Sequence, residues 1–548
     1  MLTGLVAVVA LGLLVGIGLA PGGSSRKQAR VPSGHHHHRG RQALGRGAPA
    51  ATPAVYETSH GPVASWVVAE NKLPGTEAWK ITGAQQEGGI MGYANRVQAR
   101  EGQSVALYVS TTASTFRVEA FRMGWYQGKG GRLVWESSTL HGAVQPQCPV
   151  TPGINMVECS WSPSVTFTVT SAWVQGQYLL KLVGDGGQQS YVPLTVWDPA
   201  SHAAYVIMAG VLTDQVFNPY GGYDLYQGAT PCAPNHYPCS TRARVVSFDR
   251  PYTTGFENGA GGYFNAVYPV TRLAEKYGLD VTYWTDITLA EHGNMLANHK
   301  VLISPGHDEE WSASMRQALV AALGKGVNVI FFGASPILRK VRLQPSLLGA
   351  DMEIVNYRDP AKDPLYGKDN ARVSQNWWGQ PPASSPASPI VGADYIGYNN
   401  SQSFPLVATD PSSWFYKGTG LAAGGTVPGV LTTDFQQFDP TRSGNPPDLE
   451  ILAHSPVAVE GKSGSWYADT TYYTMASSGA GVFSSGANSW VSSLWACSEV
   501  PGSCSGAPVS SVATSLMDAM TGNLLALFGQ GPAGLTQPSV ANFQQFYG

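Results

Sequence analysis

Charge is scarce in this chain. Lys, Arg, Asp and Glu make up only 13% of its 548 residues, 33 basic against 36 acidic, for a net charge of -3. No basic stripe is interleaved with aromatics, so the expectation is no nucleic-acid partner, and the near-neutral balance gives no pull toward acidic substrates. No two cysteines are separated by the two residues of a zinc knuckle or a redox motif, so neither chemistry is indicated. Beyond residues 2–20 there is no long apolar run, which excludes a second membrane-spanning helix from the expectations.

What is present points to export. The six cysteines fall into three close pairs, Cys148 with Cys159, Cys232 with Cys239, and Cys497 with Cys504, which predicts three local disulfides and an oxidising compartment. Residues 2–20 (LTGLVAVVALGLLVGIGLA) are long enough for a signal-peptide core or a membrane anchor, assigned to 1–22. Arg26, Lys27, Arg30, Arg39, Arg41 and Arg46 follow the run instead of preceding it, against the positive-inside pattern. The cysteine pairs outweigh that, so the expected location is secreted or membrane-anchored, with bilayer contact through 2–20 if the segment is retained. Residues 23–60, rich in Gly, Pro, Ala, Ser and Arg, read as a disordered tether that includes the four histidines at 35–38.

Two grammars follow. Over 61–198, short alternating stretches such as SVALYVS (104–110), TFRVEAFRM (115–123) and QYLLKLVG (177–184) predict strands at sandwich-like spacing, so an N-terminal immunoglobulin-like β-sandwich is expected. Over 199–531 continuous apolar runs, AAYVIMAG (203–210), DVTYWTD (280–286), KVLISPG (300–306) and VNVIFFG (327–333), predict buried parallel strands. Between the last two, a helix over 311–326 is capped by Ser312 or Ser314. The expected class is therefore α/β, a flavodoxin-like or class I glutamine amidotransferase-like parallel sheet behind the sandwich, with a loop-rich stretch to about 470, a strand pair over 470–486, a final helix near 510–528 and a tail over 532–548.

Chemistry concentrates at the strand ends. GHDEEWS (306–312) places His307, Asp308 and Glu309 at the carboxyl end of a parallel strand, where open sheets bind ligands, although a solvated capping cluster is an equal reading. VFNPYGGYDLY (216–226) and RVVSFDRPY (244–252) present tyrosines on loops; phenolate oxygens suit ferric iron, so Tyr220, Tyr226 or Tyr252 can join Glu309 in an oxygen-rich site, or simply pack. GAS (333–335) brings Ser335 to the same rim, as a hydrogen-bond donor or a turn cap.

Taken together, FRMGWYQGKGGRLVW (121–135), NPYGGYDLY (218–226), SFDRPY (247–252), GHDEEWS (306–312) and GVNVIFFGAS (326–335) resemble the N,N-dimethylformamidase large-subunit family, in the same order from about 70 to 530. The resemblance implies a mononuclear iron (Fe3+) acting as Lewis acid on an amide carbonyl, with Tyr226, Tyr252 and Glu309 as metal ligands, Tyr220 in reserve and His307 as acid/base. Three positions depart from the family pattern: Glu310 stands for a tyrosine, Ser335 for an asparagine, and Asp434 in GVLTTDF (429–435) for a glutamate. Catalytic roles are carried over to His307, Ser335 and Asp434. Two functions follow as expectations: an iron-dependent hydrolase of a small non-peptide amide, or a catalytically inactive cell-envelope protein binding a glycan through Trp377, Trp378 and Trp414. A homo-oligomer and a small companion subunit are left open.

Overall fold

Period-two alternation builds the first part. In the computed structural model, which describes residues 54–230, 238–494 and 509–548, strands Ser104–Thr111, Thr115–Met123, Gly176–Gly184 and Gln189–Val196 form where alternation predicts them. Ser104–Thr111 pairs antiparallel with Ile90–Ala94 (Ile90 opposite Thr111) and Val165–Thr168 (Val165 opposite Leu107). The second sheet pairs Gly176–Gly184 with Gln189–Val196 and Thr115–Met123. Val105, Leu107 and Val109 from one sheet meet Val118, Ala120, Leu180 and Leu182 from the other in a single buried cluster closed by Trp173. A disulfide joins Cys148 to Cys159 beside it, among Tyr93, Tyr108 and Trp161.

The sandwich strand Thr115–Met123 ends in an ionic clamp. Arg122 Nη2 lies 2.6 Å from Glu275 Oε1 of helix Tyr263–Lys276, and both side chains are 0% exposed. Further donors satisfy the carboxylate: Tyr283 OH gives a hydrogen bond to Oε1 at 2.5 Å and Asn71 Nδ2 to Oε2 at 3.0 Å. Two glycines make the room. A Cβ at Gly124 would lie 2.0 Å from Glu275 Oε2, and one at Gly176 would lie 2.7 Å from Arg122 Nε.

After Asp198, apolar runs become the strands Tyr205–Ala209, Val281–Thr285, Val301–Ser304 and Asn328–Phe331, all parallel, and Gly481–Ser484 extends them (Val329 opposite Val482). Trp466–Thr474 and Glu450–Val457 then continue the same sheet antiparallel. Helix Ala313–Leu323 is capped by Ser312, whose Oγ accepts from Met315 N, and ends at Gly324. The final helix is Ser511–Phe528. Asn328 ties it to the sheet: its Nδ2 donates to Phe528 O (2.8 Å) and Gly531 O (2.6 Å), and its Oδ1 accepts from Gly481 N (2.7 Å) and Ala533 N (3.1 Å).

The expected class needs correction. Strand accounts for 32% and helix for 21%, many of the sheets are small and antiparallel or mixed, and the protein is mostly β, with no clear flavodoxin-like or class I glutamine amidotransferase-like parallel α/β sheet behind an immunoglobulin-like sandwich. The reason lies in the stretch to residue 470. Read as loops, it contains the long antiparallel hairpin Asp394–Val407 with Thr426–Gln437 and the edge strand Glu450–Val457. Pro405, Pro428 and a register shift between Asn399 and Phe404 break the alternation that would have revealed it.

Among the described residues, no helix is long and apolar enough to cross a membrane. Cys239 is disulfide-bonded. The run at 2–20, the histidines at 35–38, and Cys232, Cys497 and Cys504 lie outside the described residues.

Candidate active site

The parallel strands run out at one rim, and each hands over to a turn that carries polar side chains. Ala209 leads into helix Val211–Val216 with Thr213 and Asp214; Ser304 leads to His307–Glu310; Phe331 leads to Ala334; Ser484 leads to Asn488. Glu310–Ser312 pairs in parallel with the start of Arg339–Gln344, and Arg339 N donates to Glu309 O at 2.9 Å, so backbone register sets the Arg339 side chain beside Glu309.

Four of the expected residues converge. Tyr226 OH donates to Glu309 Oε2 at 2.5 Å, His307 Nε2 lies 3.0 Å from Glu309 Oε1, and Asp434 Oδ2 lies 3.6 Å from the same nitrogen. Ligand-type atoms of His307, Glu309 and Asp434 all fall within 4.8 Å of one another. Asp434 is braced by Asn488 Nδ2 at 2.6 Å and Tyr395 OH at 3.1 Å, while Asn488 Oδ1 accepts from Ala334 N at 2.7 Å. Glu310 turns away from the cluster and accepts from Thr213 Oγ1 at 2.9 Å. Thr433, next to Asp434, holds φ 62, and Arg358 holds φ 60, strained values for side chains of this size that frame the site.

These residues line a cavity of about 930 Å³, within the range of small-molecule sites, with aromatic walls from Phe217, Phe256, Trp377 and Tyr398. Its electrostatics are sharply divided. Burial opposes the charge on His307, but the Glu309 hydrogen bond and the Glu309 and Asp434 carboxylates raise it to about 9. Burial pushes Glu309 up, yet Arg339, with Nε 3.2 Å away, and His307 hold it well below the usual carboxylate range. Burial, then the Glu309 charge, lifts Glu310 to about 8, and burial lifts Asp434 to about 6 and Asp214 to about 7. Burial keeps the Tyr226 phenol protonated well past its ordinary range.

Other expected residues are elsewhere. Tyr252 lines a separate small cavity with Asp214, Arg250 and Tyr263, and the structure does not bring it to Glu309. Tyr220 OH lies 3.7 Å from Cys148 Sγ. Ser335 is buried behind the rim, its Oγ without a hydrogen-bond partner among the described residues. Trp377 is exposed on the cavity wall, but Trp378 is buried and donates to Arg339 O at 3.1 Å, and Trp414 packs edge-on against Tyr472. Sequence reasoning passed over Arg339, Arg358, Asn376 and Asn488. The available signal was charge inside apolar surroundings: Arg339 sits in PILRKVRL within a chain that is only 13% charged.

Comparison with known families matches residues 117–501 to a model described as N,N-dimethylformamidase beta subunit-like, C-terminal. No curated protein matches the chain. Among solved structures, it shares 10% identity with a Paenibacillus sp. cycloisomaltooligosaccharide glucanotransferase complexed with cycloisomaltoheptaose, over 49% of this chain and 34% of that one, at a TM-score of 0.13. The chain thus spans about a third of that protein's length, a likeness too slight to support any structural conclusion.

Proposed function

The chain belongs to the N,N-dimethylformamidase beta subunit-like family, and from that premise we propose that it is an exported hydrolase of the C–N bond of a non-peptide amide. The observation that carries the proposal is the convergence of Tyr226, His307, Glu309 and Asp434 on one cavity at the carboxyl rim of the sheet. Export is supported by the Cys148–Cys159 disulfide and by the apolar run at 2–20.

Hydrolysis bonds a water oxygen to the carbonyl carbon, breaks the C–N bond and moves one proton from that water to the departing nitrogen. His307 Nε2, held charged between Glu309 Oε1 and Asp434 Oδ2, is the group placed to give a proton to the departing nitrogen, and the proton lost by the water restores it. Asn488 and Tyr395 fix the Asp434 carboxylate, and the aromatic walls limit water around the reacting atoms.

The donor set suits a hard cation such as Fe3+: the carboxylates of Glu309 and Asp434, which cluster with His307, and the Tyr226 phenol beside Glu309, with Tyr252 left out of the set. When bound, such an ion supplies Lewis acidity toward the amide oxygen. Arg339 already faces Glu309 Oε2, so it shares that carboxylate's charge with any ion held there.

The test is amine release from small linear amides by the full chain produced under iron-replete conditions, together with metal analysis. Activity, and a visible phenolate-to-iron absorption lost in Tyr226→Phe, are expected. A folded protein that takes up no metal and releases no amine from the panel overturns the proposal.

A further inference from the structure

The same cavity holds a second feature, of which the proposed amide cleavage uses only Arg339. Arg339 and Arg358, only 8% and 9% exposed, both line it. One neutral oxygen holds them side by side: Asn376 Oδ1 accepts from Arg339 Nη1 at 2.7 Å and from Arg358 Nη1 at 2.8 Å. Arg339 has an acidic partner in Glu309. Arg358 forms no salt bridge among the described residues, although the buried Asp224 carboxylate feels its charge; it meets Leu225 O at 3.3 Å, Asn376, and the face of the Tyr226 ring at 4.0 Å.

Two of the cavity's other acids are engaged elsewhere. Asp434 is bound by Tyr395 and Asn488, and Asp359 faces Lys362 at 3.7 Å. A buried guanidinium without a direct ion pair is costly, and the Arg358 backbone is also held at φ 60. The missing partner is an anion, and the planar fork of a guanidinium matches a carboxylate with two parallel hydrogen bonds.

We infer that the cavity selects amides bearing a carboxylate, bound by Arg358 with Arg339, so that the substrate class is N-acylated amino acids and related acidic linear amides instead of neutral dialkylamides. Arg339 touches both Glu309 and the shared Asn376 oxygen, so the guanidinium pair borders the Glu309 cluster within one cavity. The inference rests on the hydrolase reading for the fate of the bound molecule, not for its binding.

Calorimetric titration of the full chain, in carboxylate-free buffer, with N-acetylglycine and with N-acetylglycinamide isolates the carboxylate. The acid is expected to bind about tenfold more tightly or better, the discrimination that a charge-assisted pair provides. Arg358→Gln is expected to bring the ratio near one. Should that variant fail to fold, Arg358→Lys, which keeps the charge and loses the fork, is expected to lower the ratio severalfold. Equal binding of the two probes, binding of neither, or an unchanged ratio in a folded variant overturns the inference. Preference for the acid without amine release from either probe sinks the hydrolase reading alone, and equal binding with release from both sinks this inference alone.

Discussion

Replacing Glu275 by Gln tests the clamp between the sandwich and the main sheet. The substitution keeps the side chain's shape but leaves the guanidinium of Arg122, 0% exposed, without its counter-charge at 2.6 Å. Breaking one member of a buried ion pair costs about 3–5 kcal/mol. Unfolding entropy of about 2.1 cal/mol/K per residue gives roughly 1 kcal/mol per kelvin for a chain of this size, so the midpoint is expected to fall by about 3–5 °C. Scanning calorimetry of wild type and variant at pH 7 reads this directly. The double variant Arg122→Met with Glu275→Leu removes both charges and is expected to recover most of the loss, because burying a pair is itself expensive. A Glu275→Gln midpoint within about 1 °C of wild type would refute the reasoning, since it would mean that the charge on Arg122 needs no partner there.

Three further outcomes follow from other parts of the molecule. Reducing or removing the Cys148–Cys159 disulfide, which closes a loop of separation 11, is expected to cost about 2–3 kcal/mol, measured as a shift in the urea midpoint. Asp249 is 0% exposed, and its burial raises it from 3.8 to about 7. The folded state therefore binds a proton that the unfolded state has lost between those values, and the stability this group contributes is fully present below 3.8 and lost as pH rises through 7. Asp249→Asn should accordingly gain stability relative to wild type between pH 4 and 7, by up to about 4 kcal/mol, and a difference independent of pH would contradict it. Asn488→Ala leaves both the Asp434 carboxylate and the Ala334 N–H short of a partner, and a loss of about 1–3 kcal/mol is expected in thermal melts.

Strands were legible where burial imposed a simple period. Ser104–Thr111, Thr115–Met123, Val301–Ser304 and Asn328–Phe331 lie within a residue or two of where alternation or an unbroken apolar run places them. The hairpin Asp394–Val407 with Thr426–Gln437 was not, because the middle of its first strand is exposed and prolines interrupt both strands, so neither carries a regular hydrophobic period. That omission also misled the class, since those residues supply antiparallel β-structure. At the site, His307 and Glu309 could be read from their position at a strand end. Arg358 and Asn376 could not: they come from a segment without regular secondary structure, and their role depends on a long-range approach to Tyr226. The segment 121–135, which marks the family, turns out to house Arg122, Tyr126 and Gly124, whose work is structural.

The four contacts of the Asn328 amide have a bearing on biogenesis. Three of its partners, Phe528 O, Gly531 O and Ala533 N, lie 200 to 205 residues further along the chain, so a central strand made much earlier must wait with a buried amide unmatched. Closure of the sheet around Asn328 therefore waits for that later segment, and chains cut short before residue 528 would carry the defect at the sheet's centre instead of at their broken end.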